Sequence, residues 1–174
     1  LPLVVSEYRE RKILKRFKVT PISPVLLLIV EFLIYVLYAL VSMVTLILTS
    51  KIFWDVTIHG SWFGFLGSWA LTVFSTLSIG LMVGGVAKTA KSASVIACIL
   101  YFPMLIFSGA TLPIEVMPSA MQKVISVFPL TQGIQLMKAT SLGLSTENIL
   151  TPIIVMVVVT MVCIGIAIKC FRWE

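Results

Sequence analysis

Residues that could carry chemistry are few, and they do not form a catalytic set. The only histidine, His59, lies close to Asp55 in a short polar connection, a pattern more typical of a solvated loop than of a metal ligand. The sequence contains neither an HExxH zinc motif nor a GxxxxGK[ST] phosphate-binding loop, and a nucleophilic serine would lack a base. We therefore predict no catalytic residue, no metal site and no cofactor held by this chain.

Glu31 is the one ionisable residue within a long apolar run, which extends from Val25 to Leu48. A carboxyl group is costly in hydrocarbon, so Glu31 is expected to face protein or water. Two interpretations stay open. Glu31 contacts a substrate path or a gate, or it reaches the membrane interface and pairs with Lys15 or Lys18.

Composition places the chain in a bilayer. Of its 174 residues, 59% are hydrophobic and 11% are charged, and the mean hydropathy is +1.11, whereas soluble proteins carry about 25% charged residues. A globule of this size leaves much of its surface in water, so lipid must cover the apolar excess. The net charge of +6 does not indicate nucleic-acid binding, because the basic clusters lie beside apolar runs, where they set topology and contact anionic lipid.

Several apolar runs approach or exceed the length of about 20 residues that a membrane-spanning helix needs. These predicted spans are residues 25–48, 62–86, 93–112 and 150–168. Ten basic residues flank the runs on one side of the membrane and three flank them on the other. The positive-inside rule then places both ends of the chain in the cytoplasm. The predicted fold is an all-α integral membrane protein with four transmembrane helices.

Residues 6–18 predict a helix that lies at the cytoplasmic interface, and this segment holds six of the 13 basic residues. At about 100° per residue, Ile13, Leu14 and Phe17 form a narrow apolar stripe. Glu10 falls on the same stripe, which lipid contact does not explain. A basic anchor that only sets topology and a docking helix for a cytoplasmic partner both remain possible.

The connection 113–148 predicts two short helices rather than a featureless loop. Pro118 can begin the first helix and Pro129 can end it. Thr131 can cap the second, which Gly143 closes. Each is too short to cross the membrane, so we predict a re-entrant hairpin that dips into the outer leaflet.

Three stretches together resemble the permeases of type-2 ATP-binding-cassette (ABC) exporters. Residues 10–23 (ERKILKRFKVTPIS) resemble the charged helix and TPIS-like turn that precede the third span of that family. Residues 107–118 (FSGATLPIEVMP) resemble its segment after the fifth span, and residues 128–133 (FPLTQG) resemble its PLTY segment. Gln132 stands where the family usually has an aromatic residue, and residues 12–13 replace a frequent Gly-Thr.

The resemblance implies a single permease domain over residues 1–174, whose four spans correspond to the third to sixth of six, so that the chain is an N-terminally truncated permease. It implies a bacterial plasma-membrane exporter in which two permeases, as a homodimer or a mixed pair, surround the substrate path. A separate cytoplasmic ABC ATPase would hold ATP and Mg²⁺ and dock on the basic helix. The substrate is not predicted. A membrane-embedded enzyme, a non-transport scaffold and a non-functional fragment remain the alternatives.

Residue assignments follow from the same resemblance. The predicted ATPase-docking residues are Glu10, Arg11, Ile13, Leu14, Lys15 and Phe17. The predicted outer-gate residues are Gly109, Pro113, Glu115, Pro118, Pro129 and Thr131.

Overall fold

The fold is helical throughout the part that the computed structural model describes, which comprises residues 1–11, 24–55, 59–111, 117–143 and 149–170. The helices, in chain order, are α1 (Pro2–Glu10), α2 (Pro24–Trp54), α3 (Trp62–Val86), α4 (Ala90–Ile106), α5 (Ser119–Ile125), α6 (Pro129–Leu142) and α7 (Leu150–Cys170). No strand occurs in these described ranges. The predicted all-α class is therefore confirmed for them.

Three of the described helices are long and apolar enough to cross a membrane: α2, α3 and α7. The predicted span 93–112 corresponds to α4, which begins at Ala90, ends at Ile106 and has only 17 residues. Thr89 sets its start with a capping box, and the left-handed backbone of Gly109 (φ 84°) lies just beyond its end. That α4 also crosses the membrane remains a prediction.

Helix α3 lies at the centre of the bundle and packs against α1, α4, α6 and α7. Four of its seven buried positions are small and polar, namely Ser68, Thr72, Ser75 and Ser78, and two others are glycines. Gly133 of α6 lies against Thr72, so closely that a Cβ atom on Gly133 would come within 2.9 Å of the Thr72 Cβ. Small side chains let helix backbones approach each other in a membrane, where apolar burial alone does not drive association.

Helix α1 differs from the predicted interfacial helix 6–18. It begins at Pro2, a residue whose fixed φ suits the first turn of a helix, and it ends at Glu10 with Arg11 as its C-cap. Val5 and Ser6 are fully buried. Residues 12–18 of the predicted helix lie outside the described residues.

The chain between α4 and α7 contains two short helices, as predicted, but their boundaries differ. Helix α5 ends at Ile125, where the Gln132 side-chain amide donates to the Ser126 carbonyl oxygen at 2.5 Å. Phe128 is the N-cap of α6 and Pro129 its first residue, because a residue before proline favours the extended region. The prediction that Thr131 caps this helix is therefore wrong. Gly143 does close α6, in the left-handed conformation (φ 67°).

Candidate functional site

Helix α1 lies across the turn that joins α3 to α4 and binds both sides of it. Arg9 Nη1 donates to the Gly85 carbonyl oxygen at 2.6 Å and to the Ala87 carbonyl oxygen at 3.4 Å. The next residue, Glu10, accepts a hydrogen bond at its Oε2 from the backbone N–H of Ala90 at 2.8 Å. We call this set of contacts the Arg9–Glu10 clamp.

The two charges of the clamp match the two helix ends that they contact. Gly85 lies in the last turn of α3, where free carbonyl groups carry partial negative charge, and Arg9 supplies a cation. Ala90 is the first residue of α4, where free N–H groups carry partial positive charge, and Glu10 supplies a carboxyl oxygen. Thr89 completes the start of α4, since its hydroxyl oxygen accepts from the Ser92 N–H at 3.1 Å.

Two glycines of α3 provide the seat for α1. A Cβ atom at Gly84 would lie 2.8 Å from the Val5 Cβ, and one at Gly80 would lie 3.4 Å from side-chain atoms of Leu1 and Pro2. The Gly80-xxx-Gly84 pattern therefore serves close packing between helices of this chain. It fixes the depth of α1 and brings Arg9 and Glu10 to the turn.

Glu31 is the acceptor of a hydrogen bond from α1. The Tyr8 hydroxyl donates to Glu31 Oε1 at 2.7 Å. This hydrogen bond, followed by partial burial, raises the pKa of Tyr8 above its ordinary value. The proposed partners Lys15 and Lys18 lie outside the described residues. Sequence reasoning missed Tyr8, although an aromatic ring with a polar tip in a charged interfacial segment is typical of residues that bridge apolar and polar surroundings.

The outward face of α1 carries a separate ion pair. Arg11 Nη2 lies 2.8 Å from Glu7 Oε1, and their side chains are 70% and 46% exposed. Arg11 thus points away from the clamp, whereas Glu10 binds within the chain. The other predicted docking residues, Ile13, Leu14, Lys15 and Phe17, lie outside the described residues.

The predicted outer-gate residues that are described lie around the far end of α4. Gly109 follows that end, Pro118 begins α5 as its N-cap, and Pro129 begins α6. Thr131, fully buried, donates its hydroxyl to the Phe107 carbonyl oxygen at 3.5 Å. Pro113 and Glu115 lie outside the described residues.

An apolar cavity of about 460 Å³ opens beside this junction, between α4 and α5. Its lining residues include Phe107, Met121 and Phe128. Among the described residues, no group of three or more His, Cys, Asp or Glu side chains could hold a metal ion.

A family model matches nearly the whole length of this chain, and curated proteins match parts of it. A family model described as ABC-2 family transporter protein matches residues 2–169. The Inner membrane transport permease YhhJ of Escherichia coli (strain K12) is 27% identical over 132 residues, which cover 75% of this chain and 35% of the relative. The Nodulation protein J of Rhizobium leguminosarum bv. viciae is 30% identical over 80 residues, which cover 46% of this chain and 31% of the relative. No solved structure matches the chain.

The chain spans about a third of the length of these curated relatives. The family match nevertheless begins at the first residue of α1 and extends into the last turn of α7, so it includes both the clamp and the junction at the far end of α4. The chain belongs to the ABC-2 family of transporter proteins and is a multi-pass membrane protein.

Proposed function

We propose that this chain is the membrane-spanning permease subunit of an ATP-driven ABC exporter in the bacterial cell membrane. A separate cytoplasmic ATPase subunit would bind ATP and Mg²⁺ and supply the energy, and this chain would hold neither. The observation that carries the proposal is the Arg9–Glu10 clamp. Through these hydrogen bonds, α1, a short helix outside the membrane-spanning segments, binds directly to two helices of the bundle.

The proposed orientation places α1 and the α3–α4 turn on the cytoplasmic side. Lys88 and Lys91 flank this turn, and Arg9 and Arg11 lie on the helix that contacts it. Concentration of cations at one end of a bundle is the pattern of a cytoplasmic end. Both ends of the chain then face the cytoplasm.

Helix α4 would carry movement from the cytoplasmic side to the outer gate. Its first N–H, on Ala90, binds Glu10. Beyond its last residue, the Phe107 carbonyl oxygen accepts a hydrogen bond from Thr131 of α6, which belongs to the proposed re-entrant hairpin. A helix of 17 residues is about 25 Å long, so α4 connects the α3–α4 turn to the hairpin, with Pro103 in its last turn. Displacement of α1 by the ATPase would therefore reach the gate as a tilt of α4, which is a two-state movement biased at one end.

A second permease, identical or different, would complete the substrate path. Helix α2 exposes large apolar side chains along most of its length, from Leu26 to Trp54. Lipid and the second permease together would cover this face, because exposed apolar patches of such extent mark interaction surfaces.

The experiment tests whether the exposed face of α1 holds the ATPase. The full-length permease is purified with its ATPase as wild type, as Arg11→Glu and as the exchange Glu7→Arg/Arg11→Glu. The exchange preserves the ion pair within α1 and inverts the charges that a partner meets. Lys51→Glu, a charge reversal at the other end of α2, is the matched control.

Loss of most of the bound ATPase in both α1 variants, with the control unchanged, supports docking on this face. Recovery of the ATPase in the exchange variant would mean that only the internal ion pair matters. If both α1 variants hold the ATPase and export normally, the docking assignment is wrong.

A further inference from the structure

Helix α1 makes a second polar connection, to α2, which is separate from the clamp. The Tyr8 hydroxyl reaches the Glu31 carboxyl group across 23 positions of sequence. The clamp contacts only the α3–α4 turn, so α1 joins three helices through three consecutive side chains, those of Tyr8, Arg9 and Glu10.

Few contacts hold α2 to the rest of the described chain. The apolar ones lie close to Glu31: Leu28, Phe32 and Tyr35 pack against the cluster of Leu1 and Val5. The Phe32 ring also lies 5.4 Å, centre to centre, from the ring of Phe74. No residue in the most apolar window of α2 is buried, whereas a third of the corresponding window of α3 is.

A cavity adjoins these contacts on the side of α3 and α4. Its volume is about 270 Å³, and its lining includes Pro2, Tyr35, Gly80 and Tyr101. Helix α2 is therefore not tightly packed against α3 and α4 beyond the turn that carries Tyr35. A helix with an adjoining void can shift without compressing a filled core.

We infer that Tyr8 and Glu31 are positioning residues through which α1 sets the location of α2, independently of its hold on the α3–α4 turn. The inference rests on the proposed function, because the displacement of α1 is attributed to the ATPase. When the ATPase moves α1, the Tyr8–Glu31 hydrogen bond makes α2 follow.

The chemistry of the pair suits this role. The phenol of Tyr8 keeps its proton at neutral pH and remains a donor because the ordinary tyrosine pKa is about 10, and hydrogen bonding to Glu31 raises this pKa further. Phenylalanine has the same ring but cannot donate. Glutamine at position 31 retains a carbonyl acceptor, whereas leucine has none and packs in the same apolar surroundings.

The test uses the full-length permease with its ATPase in lipid nanodiscs. Cys98 and Cys170, the exposed cysteines among the described residues, are replaced by serine, and Ser42→Cys places a reporter on α2. The rate of maleimide labelling is measured without nucleotide and with ATP trapped by vanadate. The variants are Tyr8→Phe, Glu31→Leu and Glu31→Gln, and Tyr38→Phe, which removes a tyrosine hydroxyl from α2 itself, is the control.

In the wild type we expect the labelling rate to change with nucleotide. Loss of one hydrogen bond should reduce the ratio of the two rates by about threefold to tenfold in Tyr8→Phe and in Glu31→Leu. The double variant should show no further reduction, because both changes remove the same contact. Glu31→Gln and Tyr38→Phe should retain the wild-type ratio, and all variants should hold the ATPase.

The results separate this inference from the proposed function. An unchanged ratio in Tyr8→Phe, with the ATPase bound, overturns the inference alone, and so does additivity in the double variant. A reduced ratio of labelling rates in Glu31→Gln would also overturn the inference, because glutamine retains a hydrogen-bond acceptor for Tyr8. A wild-type preparation that binds no ATPase contradicts the proposed function and this inference together.

Discussion

Replacement of Gly84 by alanine tests whether α1 is seated on α3. The new Cβ would lie 2.8 Å from the Val5 Cβ, 2.9 Å from its Cγ1 and 3.2 Å from the Pro2 carbonyl oxygen. Two of these neighbours are backbone or lie next to it, so they cannot move away by a change of rotamer. Helix α1 must shift as a body, and the Arg9–Glu10 clamp must stretch with it.

The magnitude follows from a comparison with a second glycine of the same helix. Overpacking of this kind costs about 1–3 kcal/mol, while alanine is favoured over glycine in a helix by about 1 kcal/mol. At Gly67 a Cβ would meet nothing within 4 Å. Gly67→Ala should therefore gain the helix-propensity free energy of alanine without a steric cost. The difference between Gly84→Ala and Gly67→Ala therefore isolates the steric cost, about 1–3 kcal/mol.

The assay is the thermal unfolding of the full-length permease in nanodiscs, followed by tryptophan fluorescence. We expect Gly84→Ala to unfold at a lower temperature than Gly67→Ala. Gly80→Ala, whose Cβ would make ordinary contacts at 3.4 Å, should resemble Gly67→Ala. The addition of Val5→Ala to Gly84→Ala should restore part of the loss, because it removes the Cγ1 contact. Equal unfolding temperatures for Gly84→Ala and Gly67→Ala would refute the seating of α1 in this groove.

Three other outcomes follow from single contacts. Thr89→Ala removes the N-cap of α4 and should cost about 1 kcal/mol, measured by the same thermal unfolding. Gly133→Ala should destabilise the bundle more than Gly84→Ala would, because its Cβ overlaps the Thr72 side chain; a wild-type unfolding temperature would contradict the packing of α6 on α3. The stabilisation that Tyr8 gains from Glu31 should be complete below the ordinary tyrosine pKa of about 10, and it should be lost as the pH rises through the raised pKa of the folded protein. Phenolate absorption, compared between the wild type and Tyr8→Phe, measures that titration.

Periodicity and composition predicted the helical membrane fold because both report on the surroundings of a helix. A long apolar run indicates that lipid or protein covers the helix, whichever helices pack beside it. Local chemistry also predicted the end of α6, since Gly143 can adopt a left-handed conformation without strain. The capping box of Thr89 and Ser92 is equally local, but it precedes the apolar run that begins at Ala93, so hydropathy alone predicts a start three residues too late.

The contacts of α1 could not be predicted in the same way. Its bonds to Gly85 and Ala90 join residues 76 and 80 positions apart, and a helical wheel describes a face without naming what it meets. The wheel did place Glu10 on an apolar stripe, a conflict between residue type and position. Such conflicts mark sites where a specific partner overrides the pattern, and here the described partner is the start of α4. The Gly80-xxx-Gly84 pattern likewise permits a close helix approach, but it does not identify α1 as the helix that approaches.

Helix α1 is held more strongly to the α3–α4 turn than to α2, and this difference should set the order in which the helices move when α1 is displaced. Separation of α1 from the α3–α4 turn breaks the charge-assisted contacts of Arg9 and Glu10 and uncovers the buried Val5. Separation of α1 from α2 breaks the Tyr8–Glu31 hydrogen bond and loosens a few partly buried apolar side chains. All these hydrogen bonds involve one charged group, but two charged side chains and a fully buried residue hold α1 to the turn, whereas a single such bond holds it to α2. Helix α1, the turn and the start of α4 should therefore move as one unit. A displacement large enough to strain both connections would then release α2 first, while α4 still delivers movement to the outer gate.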